Sequence, residues 1–491
     1  MKKWRYRTRI TVRTVFSVCL IFVLMLARIS STANAGESPN NNTPDSYVFA
    51  LTENENTQKL IEDLENKYPE LKIENIDEIN TMIISSDNHE QLEQAQKYLN
   101  NKYQKLIEGF NKEQTVTLKK IGAPGLMVKP LSQLRKFNNT QSRVLTQSNE
   151  ESNIYDAWRW DIKKVTSDGA SYLIEKGNHN VKIGIVDSGV DIHHPDLKHN
   201  IISPGKSLVP GVSSMVDEIG HGTMVAGSIA ANGNIKGVSP EVGIVPYKVF
   251  QGYSADSSWI VKAIIEAAND DMDIINLSLG TYKSMKNKKD RATYLSYIRA
   301  IQYANKKGSL LVASSGTDGY DLTNPKNLAE QMGLKNDLQL HMPGGLPNVV
   351  TVSATNLNDQ LAYYSNYGFN INIAAPAGDY GPNFEDQQKI ELEYMTITTY
   401  PTTLPQSELS KYMGFAPGYE FMIGTSLAVP KVSATAALII AEYQEKYGKR
   451  PSPNVIKRYL YGGTVKGDGT KRQLGNGIVN AKNSLDLVNK R

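Results

Sequence analysis

The segment Phe421-Met422-Ile423-Gly424-Thr425-Ser426-Leu427-Ala428-Val429-Pro430 leads into an apolar run from Val432 to Tyr443. Gly424 permits a sharp turn. Thr425 or Ser426 then opens a helix, with Pro430 accommodated in its first turn. A hydroxyl at that point lies in the positive field of a helix N-terminus, where negative charge growing on a carbonyl is stabilised. Taken alone, the segment reads as a helix start with a capping hydroxyl. Two further stretches change that reading. Val181-Lys182-Ile183-Gly184-Ile185-Val186-Asp187 is an apolar strand that delivers a carboxylate at its end. Glu218-Ile219-Gly220-His221-Gly222-Thr223 is a loop carrying an imidazole into a helix of small residues. A hydroxyl nucleophile needs a base to take its proton and an acid to orient that base. Ser426, His221 and Asp187 supply the three in turn.

The elements that must hold these groups alternate. Val181–Asp187, Gly243–Phe250, Asp273–Leu279, Leu310–Ser314, Val349–Ala354 and Ile371–Ala375 read as strands, most of them nearly continuous apolar runs. Such runs mark strands buried on both faces of a parallel sheet. Helices are expected over 224–232, 258–269, 294–306 and 426–447. Alternation of this kind makes an open α/β sheet with active groups at the carboxyl ends of its strands.

Asp187-Ser188-Gly189, His221-Gly222-Thr223 and Gly424-Thr425-Ser426-x-Ala428-x-Pro430, in this order, resemble the three motifs of the subtilisin-like serine proteases, the subtilases. Leu427 stands where the family usually has Met. The resemblance covers about residues 155–485. It implies a doubly wound, mostly parallel sheet and a serine endopeptidase acting through an acyl-enzyme. Leu277-Ser278-Leu279-Gly280 resembles the family segment that pairs with the substrate backbone as an added strand. The turn around Ser315, Gly316, Thr317 and Asp318 resembles the oxyanion turn. The family places Asn where this chain has Thr317, a donor of shorter reach, and Asn324 is an alternative donor. Asp196 matches a family ligand of structural calcium. Oxygen ligands suit that ion, whereas the short loop from Ala231 to Val238 argues against it, and both readings stand. No cofactor is implied for catalysis, and His193, His194, His199 and His341 lack metal-ligand spacing.

Within the family the chain is most similar to the lantibiotic leader peptidases, secreted enzymes that cut a modified precursor peptide after Arg. An acidic S1 pocket is then required, and Asp318, Asp321 and Asp337 are the candidates. A broad-specificity protease with an apolar S1 pocket is the alternative substrate reading. A catalytically weak binding protein on the same fold is the alternative motivated by Thr317.

The chain has 491 residues, enough for two or three domains, and a mixed net charge of +4, too mild to point to nucleic acid. Residues 1–35 read as a signal peptide, with a basic start, an apolar run from Val15 to Ala27 and a small-x-small end at Ala33-Asn34-Ala35. They contain the one cysteine, Cys19, so disulfides are not expected in the mature protein. No wall-sorting motif or apolar tail is seen at Leu485–Arg491, and a secreted form without a membrane anchor is expected. Residues 47–120 carry a βαββαβ pattern, with Asp87 opening a helix and Thr115-Val116-Thr117-Leu118 as last strand. That pattern suggests a ferredoxin-like pro-domain, which by the resemblance assists folding and inhibits until cut away. Residues 121–154 read as a cleavable linker, with Arg143-Val144 the favoured bond and Arg135 and Lys136 next. Residues 155–491 form the catalytic domain. Segments 281–295 and 380–420 read as insertions beside the cleft.

Overall fold

A computed structural model describes residues 45–53, 57–119 and 154–490. The expected signal peptide and the bonds at Arg135, Lys136 and Arg143 lie outside the described residues.

The first unit is built from β1 (Asp45–Leu51), α1 (Thr57–Lys67), β2 (Lys72–Ile76), β3 (Thr81–Ser86), α2 (His89–Lys102) and β4 (Ile107–Lys112). The strands form one antiparallel sheet in the order β2-β3-β1-β4. This is the ferredoxin-like arrangement, but its last strand is β4. Thr115–Thr117, expected to close this sheet, forms β5 and leaves it to pair elsewhere. The N-cap of α2 is Asn88 rather than Asp87, its side chain accepting the Gln91 N–H at 3.1 Å. Alternation along β1 and β3 divides the sheet between two cores. Phe49, Leu51, Met82 and Ile84 pack on α1 and α2, while Val48, Ala50 and Ile83 face the catalytic unit.

The catalytic unit opens with α3 (Trp160–Thr166). The central strands and helices follow as β6 (Lys182–Asp187), β7 (Lys206–Ser207), α4 (His221–Ala230), β8 (Gly243–Lys248), β9 (Ser254–Asp256), α5 (Ser257–Asn269), β10 (Ile274–Leu277), β11 (Thr281–Ser284), α6 (Arg291–Lys307) and β12 (Leu310–Ser314). The chain ends through α7 (Pro325–Gln331), β13 (Gln339–Met342), β14 (Val349–Thr355), β15 (Ile373–Pro376), β16 (Thr396–Thr399), β17 (Tyr419–Met422), α8 (Thr425–Tyr447), α9 (Pro453–Gly462) and α10 (Ala481–Asn489). Seven strands make one parallel sheet, ordered β15-β14-β12-β10-β6-β8-β7. Ile274, Leu310, Val312 and Val350 point to the layer holding α4 and α8, and Ile275, Leu311 and Ala313 to the layer holding α5 and α6. Both faces are covered, which is why the strands read as unbroken apolar runs. Among the described residues α8 alone is long and apolar enough to cross a membrane, and it is the buried core helix of this layer.

The first unit docks on α5 and α6. Asn111 Oδ1 accepts the Ala292 and Thr293 N–H groups at 2.8 and 3.0 Å and so caps the first turn of α6. Arg299 donates to the carbonyls of Leu51, Ile79 and Asn80 and to Glu108.

Candidate active site

Asp187 is the last residue of β6, His221 the first of α4 and Ser426 the second of α8. The sheet and its crossovers bring the three to one cleft of about 440 Å³, lined by His221, Ser426 and the strand ends. His221 Nδ1–H donates to Asp187 Oδ1 at 2.7 Å, leaving Nε2 as the acceptor. Asp187 is fully buried and also accepts the Ser188 N–H at 2.8 Å. Burial opposes the imidazolium. The Asp187 carboxylate, through its charge and its hydrogen bond, outweighs this, and the His221 pKa lies above its ordinary value. Ser426 Oγ donates to the Ser278 carbonyl at 3.1 Å, and a turn about its Cα–Cβ bond re-aims it at His221.

Gly424, at φ +134°, makes the turn from β17 into α8, so no hydroxyl caps this helix. Pro430 is the sixth helical residue, past the first turn expected for it. Its missing N–H leaves the Ser426 carbonyl without its helical donor. Ser278 Oγ fills that role at 2.9 Å, which ties the nucleophile's backbone to the end of β10.

Asp217, missed in the sequence, organises the His221 loop. Its two oxygens accept the N–H groups of Ile219, Gly220 and Thr223 and the hydroxyls of Ser188 and Thr223 at 2.7–3.2 Å. The only signal was Asp-x-x-Gly-His, a side chain placed to bond its own downstream backbone.

Ser278, Leu279, Gly280, Gly316, Thr317 and Asp318 line the cleft as expected. Ser315 does not. It is fully buried, its N–H bonded to Val352 and its hydroxyl to the Asn366 carbonyl, and Ser314 faces the cleft instead. Neighbouring residues at a strand end point to opposite sides, so a one-residue offset exchanges them. Asn324 caps α7 through the Lys326 and Asn327 N–H groups and does not line the cleft. Thr317 lines the same cleft as Ser426 and His221.

Of the three carboxylates offered for S1, Asp318 alone lines the pocket. Asp321 pairs with Arg472, and Asp337 accepts from Ser284, Leu338 and Gln339. Asp318 Oδ2 accepts the Tyr282 hydroxyl at 2.6 Å. Tyr282 comes from the 281–295 segment through the β11–β13 pair and lines the cleft. Asn366 fixes the turn, accepting the Asp318 and Tyr320 N–H groups and donating to Tyr282 Oη and the Ser315 carbonyl. Gly316, at φ +98°, has no room for a side chain against Asn366 and His341. Burial pushes His341 down to about 4, so it packs there neutral.

The first unit ends in this cleft. β5 pairs antiparallel with β9, Thr117 with Ser254 and Val116 with Ala255, and the Leu118 N–H donates to the Tyr253 carbonyl at 2.8 Å. Val116 is buried among the residues around α5. Lys119 then lines the cleft with His221 and Ser426, and its ammonium pairs with Asp318 and donates to the Thr317 carbonyl at 3.3 Å. The tail lies as an added strand with its Lys119 side chain on the Asp318 carboxylate.

This arrangement performs acyl transfer. Ser426 Oγ adds to a substrate carbonyl as His221 Nε2 takes its proton, and Asp187 stabilises the imidazolium. Charge growing on the carbonyl oxygen is stabilised by the N–H groups at the N-terminus of α8, in whose first turn Ser426 lies. The imidazolium then protonates the leaving amine, and water, deprotonated by the same imidazole, releases the acyl group.

Comparison with known proteins agrees with this chemistry. The subtilase family profile matches residues 178–477. The epidermin leader peptide-processing serine protease EpiP of Staphylococcus epidermidis is 34% identical over 337 residues, 64% of this chain and 71% of that protein. The nisin leader peptide-processing serine protease NisP of Lactococcus lactis is 32% identical over 387 residues, 70% of this chain. That match spans 54% of NisP, so the chain accounts for about half of that relative's length. The crystal structure of EpiP from Staphylococcus aureus aligns with TM-score 0.72 over 91% of this chain and 99% of that one, at 28% identity. The NisP crystal structure aligns with TM-score 0.58 over 68% and 94%, at 30% identity. The chain belongs to the subtilase family and is a subtilisin-like serine endopeptidase.

Proposed function

We propose that this endopeptidase removes the leader of a lantibiotic precursor peptide by cutting after a basic residue, Arg in the precursor. The observation that carries the reading is the Lys119 ammonium on Asp318, with Tyr282 bracing the same carboxylate. A guanidinium is longer than an ammonium and can take both carboxylate oxygens. The leader-processing names of EpiP and NisP support the substrate class. The protein is secreted under a signal peptide over 1–35. Residues 47–120 are its pro-domain, which folds on α5 and α6 and blocks the cleft until released. The seat of Lys119 favours Lys119-Lys120 for the first self-cleavage, with cuts at Arg135, Lys136 or Arg143 trimming the linker afterwards.

The test is digestion of a modified precursor peptide with its natural Arg at the leader junction and of the same peptide with Leu there. Mass spectrometry is expected to find a single cut after Arg and at least a tenfold slower cut after Leu, about 1.4 kcal/mol in transition-state binding. Multiple cuts after Leu or Phe within the leader would leave a broad-specificity protease. No labelling of processed, folded protein at Ser426 by a phosphonate probe would leave a binding protein.

A further inference from the structure

Asp196 is where a family calcium would be expected, and the residues around it do not fit that ion. The carboxylate is buried in the turn after β6 and faces donors rather than other oxygens. Oδ1 accepts the Asn234 N–H at 3.1 Å, Oδ2 accepts the Ile235 N–H at 3.0 Å, and the Tyr419 hydroxyl also bonds to it. Calcium takes six to eight oxygen ligands, and here it would meet the positive ends of N–H groups. The loop carbonyls are engaged as well. Ile235 O accepts the Gly233 N–H at 3.1 Å, Ala231 O accepts the Gly237 N–H at 2.8 Å, and Lys236 O accepts Nη2 of Arg159.

Arg159 is 5% exposed. Asp161, Asp156 and Asp196 are the carboxylates whose charge acts on it. Two residues on, Asp161 holds the fully buried ammonium of Lys431 at 2.9 Å. The buried cluster therefore contains two cations, Arg159 and Lys431, and two carboxylates, Asp161 and Asp196. It is neutral as it stands, and a divalent ion would leave a charge of about +2 uncompensated in a low-dielectric interior. The cluster also joins three pieces of the catalytic machinery. Arg159 and Asp161 lie at the entry to the catalytic unit, the 231–236 loop follows the His221 helix, and Lys431 sits on the Ser426 helix, donating to the Leu427 carbonyl at 2.9 Å.

We propose that Arg159 is the resident cation of the Asp196 loop, filling the structural role a calcium ion would have there, so that this loop folds without metal. Guanidinium suits the post because it stays charged when buried.

The test uses the full chain with Ser426→Ala, which removes self-digestion, in thermal melts with a chelator or with millimolar calcium. The melting temperature is expected to be the same in both. Arg159→Met is expected to lower it by roughly 5–10 °C in either buffer, and Arg159→Lys, which keeps the charge in case the Met variant does not fold, by less. A chelator-induced drop that disappears in Asp196→Asn would overturn the assignment by showing calcium at Asp196. A melting temperature unmoved by either Arg159 substitution would overturn it too. A chelator-induced drop that persists in Asp196→Asn comes from an ion outside this loop, and the assignment then stands only if Arg159→Met still lowers the melting temperature by the same amount in both buffers.

Discussion

His221 governs the pH dependence. Its neutral form is the base, and its pKa lies above the ordinary value of about 6.5 because Asp187 outweighs burial. Activity should therefore rise with pH, the acid limb of kcat/KM for the processed enzyme having a midpoint above about 6.5. Asp187→Asn should lower kcat by about 10⁴-fold, through the wrong tautomer. A limb below the ordinary histidine value would contradict the Asp187 coupling. Thr317 is a second residue-scale test. Thr317→Asn should keep or raise turnover. A loss of about a hundredfold or more, the scale of one oxyanion donor, would show that the site is adapted to the threonine hydroxyl. The triad was legible because three short motifs each fixed one residue. Ser315 was misplaced because sequence cannot decide which of two neighbouring serines faces the cleft. Asp217 went unread because its Asp-x-x-Gly-His signal is short and Ser188 reaches it only in the fold, and Arg159 because the Lys236 carbonyl it bonds lies far along the chain.

At the scale of elements, the link between Pro430 and Ser278 is the testable feature. Ser278→Ala leaves the Ser426 carbonyl with neither its helical nor its side-chain donor, at a cost of about 1–3 kcal/mol. Pro430→Ala in that background restores an N–H four residues on and should recover much of the loss. Denaturant melts of the Ser426→Ala chain, run as a double-mutant cycle, measure the coupling. Additive losses would mean the two residues do not serve the same carbonyl. The strands of the parallel sheet were legible to within about two residues at most ends, since burial on both faces writes itself as apolar runs. β5 was read as a strand but given the wrong partner. Alternation in Thr-Val-Thr-Leu specifies an extended chain and not the edge it joins. The same limit hid which of Asp318, Asp321 and Asp337 lines the cleft, since they differ in their neighbours rather than in local sequence.

For the whole molecule, the hold of the first unit on the cleft should depend on pH. Asp256, in β9 opposite Thr115, is pushed up to about 7 by burial and by the charge of Glu113 from the docked unit. A carboxyl raised in the docked state favours docking while it stays protonated. That contribution is full below the ordinary Asp value of about 4 and is lost as pH rises to about 7. Hydrogen-exchange protection of β5 in the Ser426→Ala chain should fall across that window, and Asp256→Asn should weaken the dependence, the Glu113 carboxyl, also raised by burial, keeping part of it. A flat profile in the parent chain would remove Asp256 from the account. Self-processing belongs to this scale as well. Ser426→Ala should keep residues 47–120 attached in a protease-free host, and Lys119→Glu should slow maturation by placing like charge on Asp318.

The central claim is that Asp318 makes the S1 pocket of a Ser426 protease select a basic side chain. The direct measurement is kcat/KM on matched peptides differing only in Arg, Lys, Leu or Phe at P1, for the mature enzyme and for Asp318→Asn. The account predicts at least a tenfold preference for Arg over Leu in the parent, about 1.4 kcal/mol, and its collapse in Asp318→Asn through loss of Arg cleavage with Leu cleavage little changed. Equal or better cleavage after Leu or Phe in the parent, or an Arg preference that survives Asp318→Asn, would contradict it.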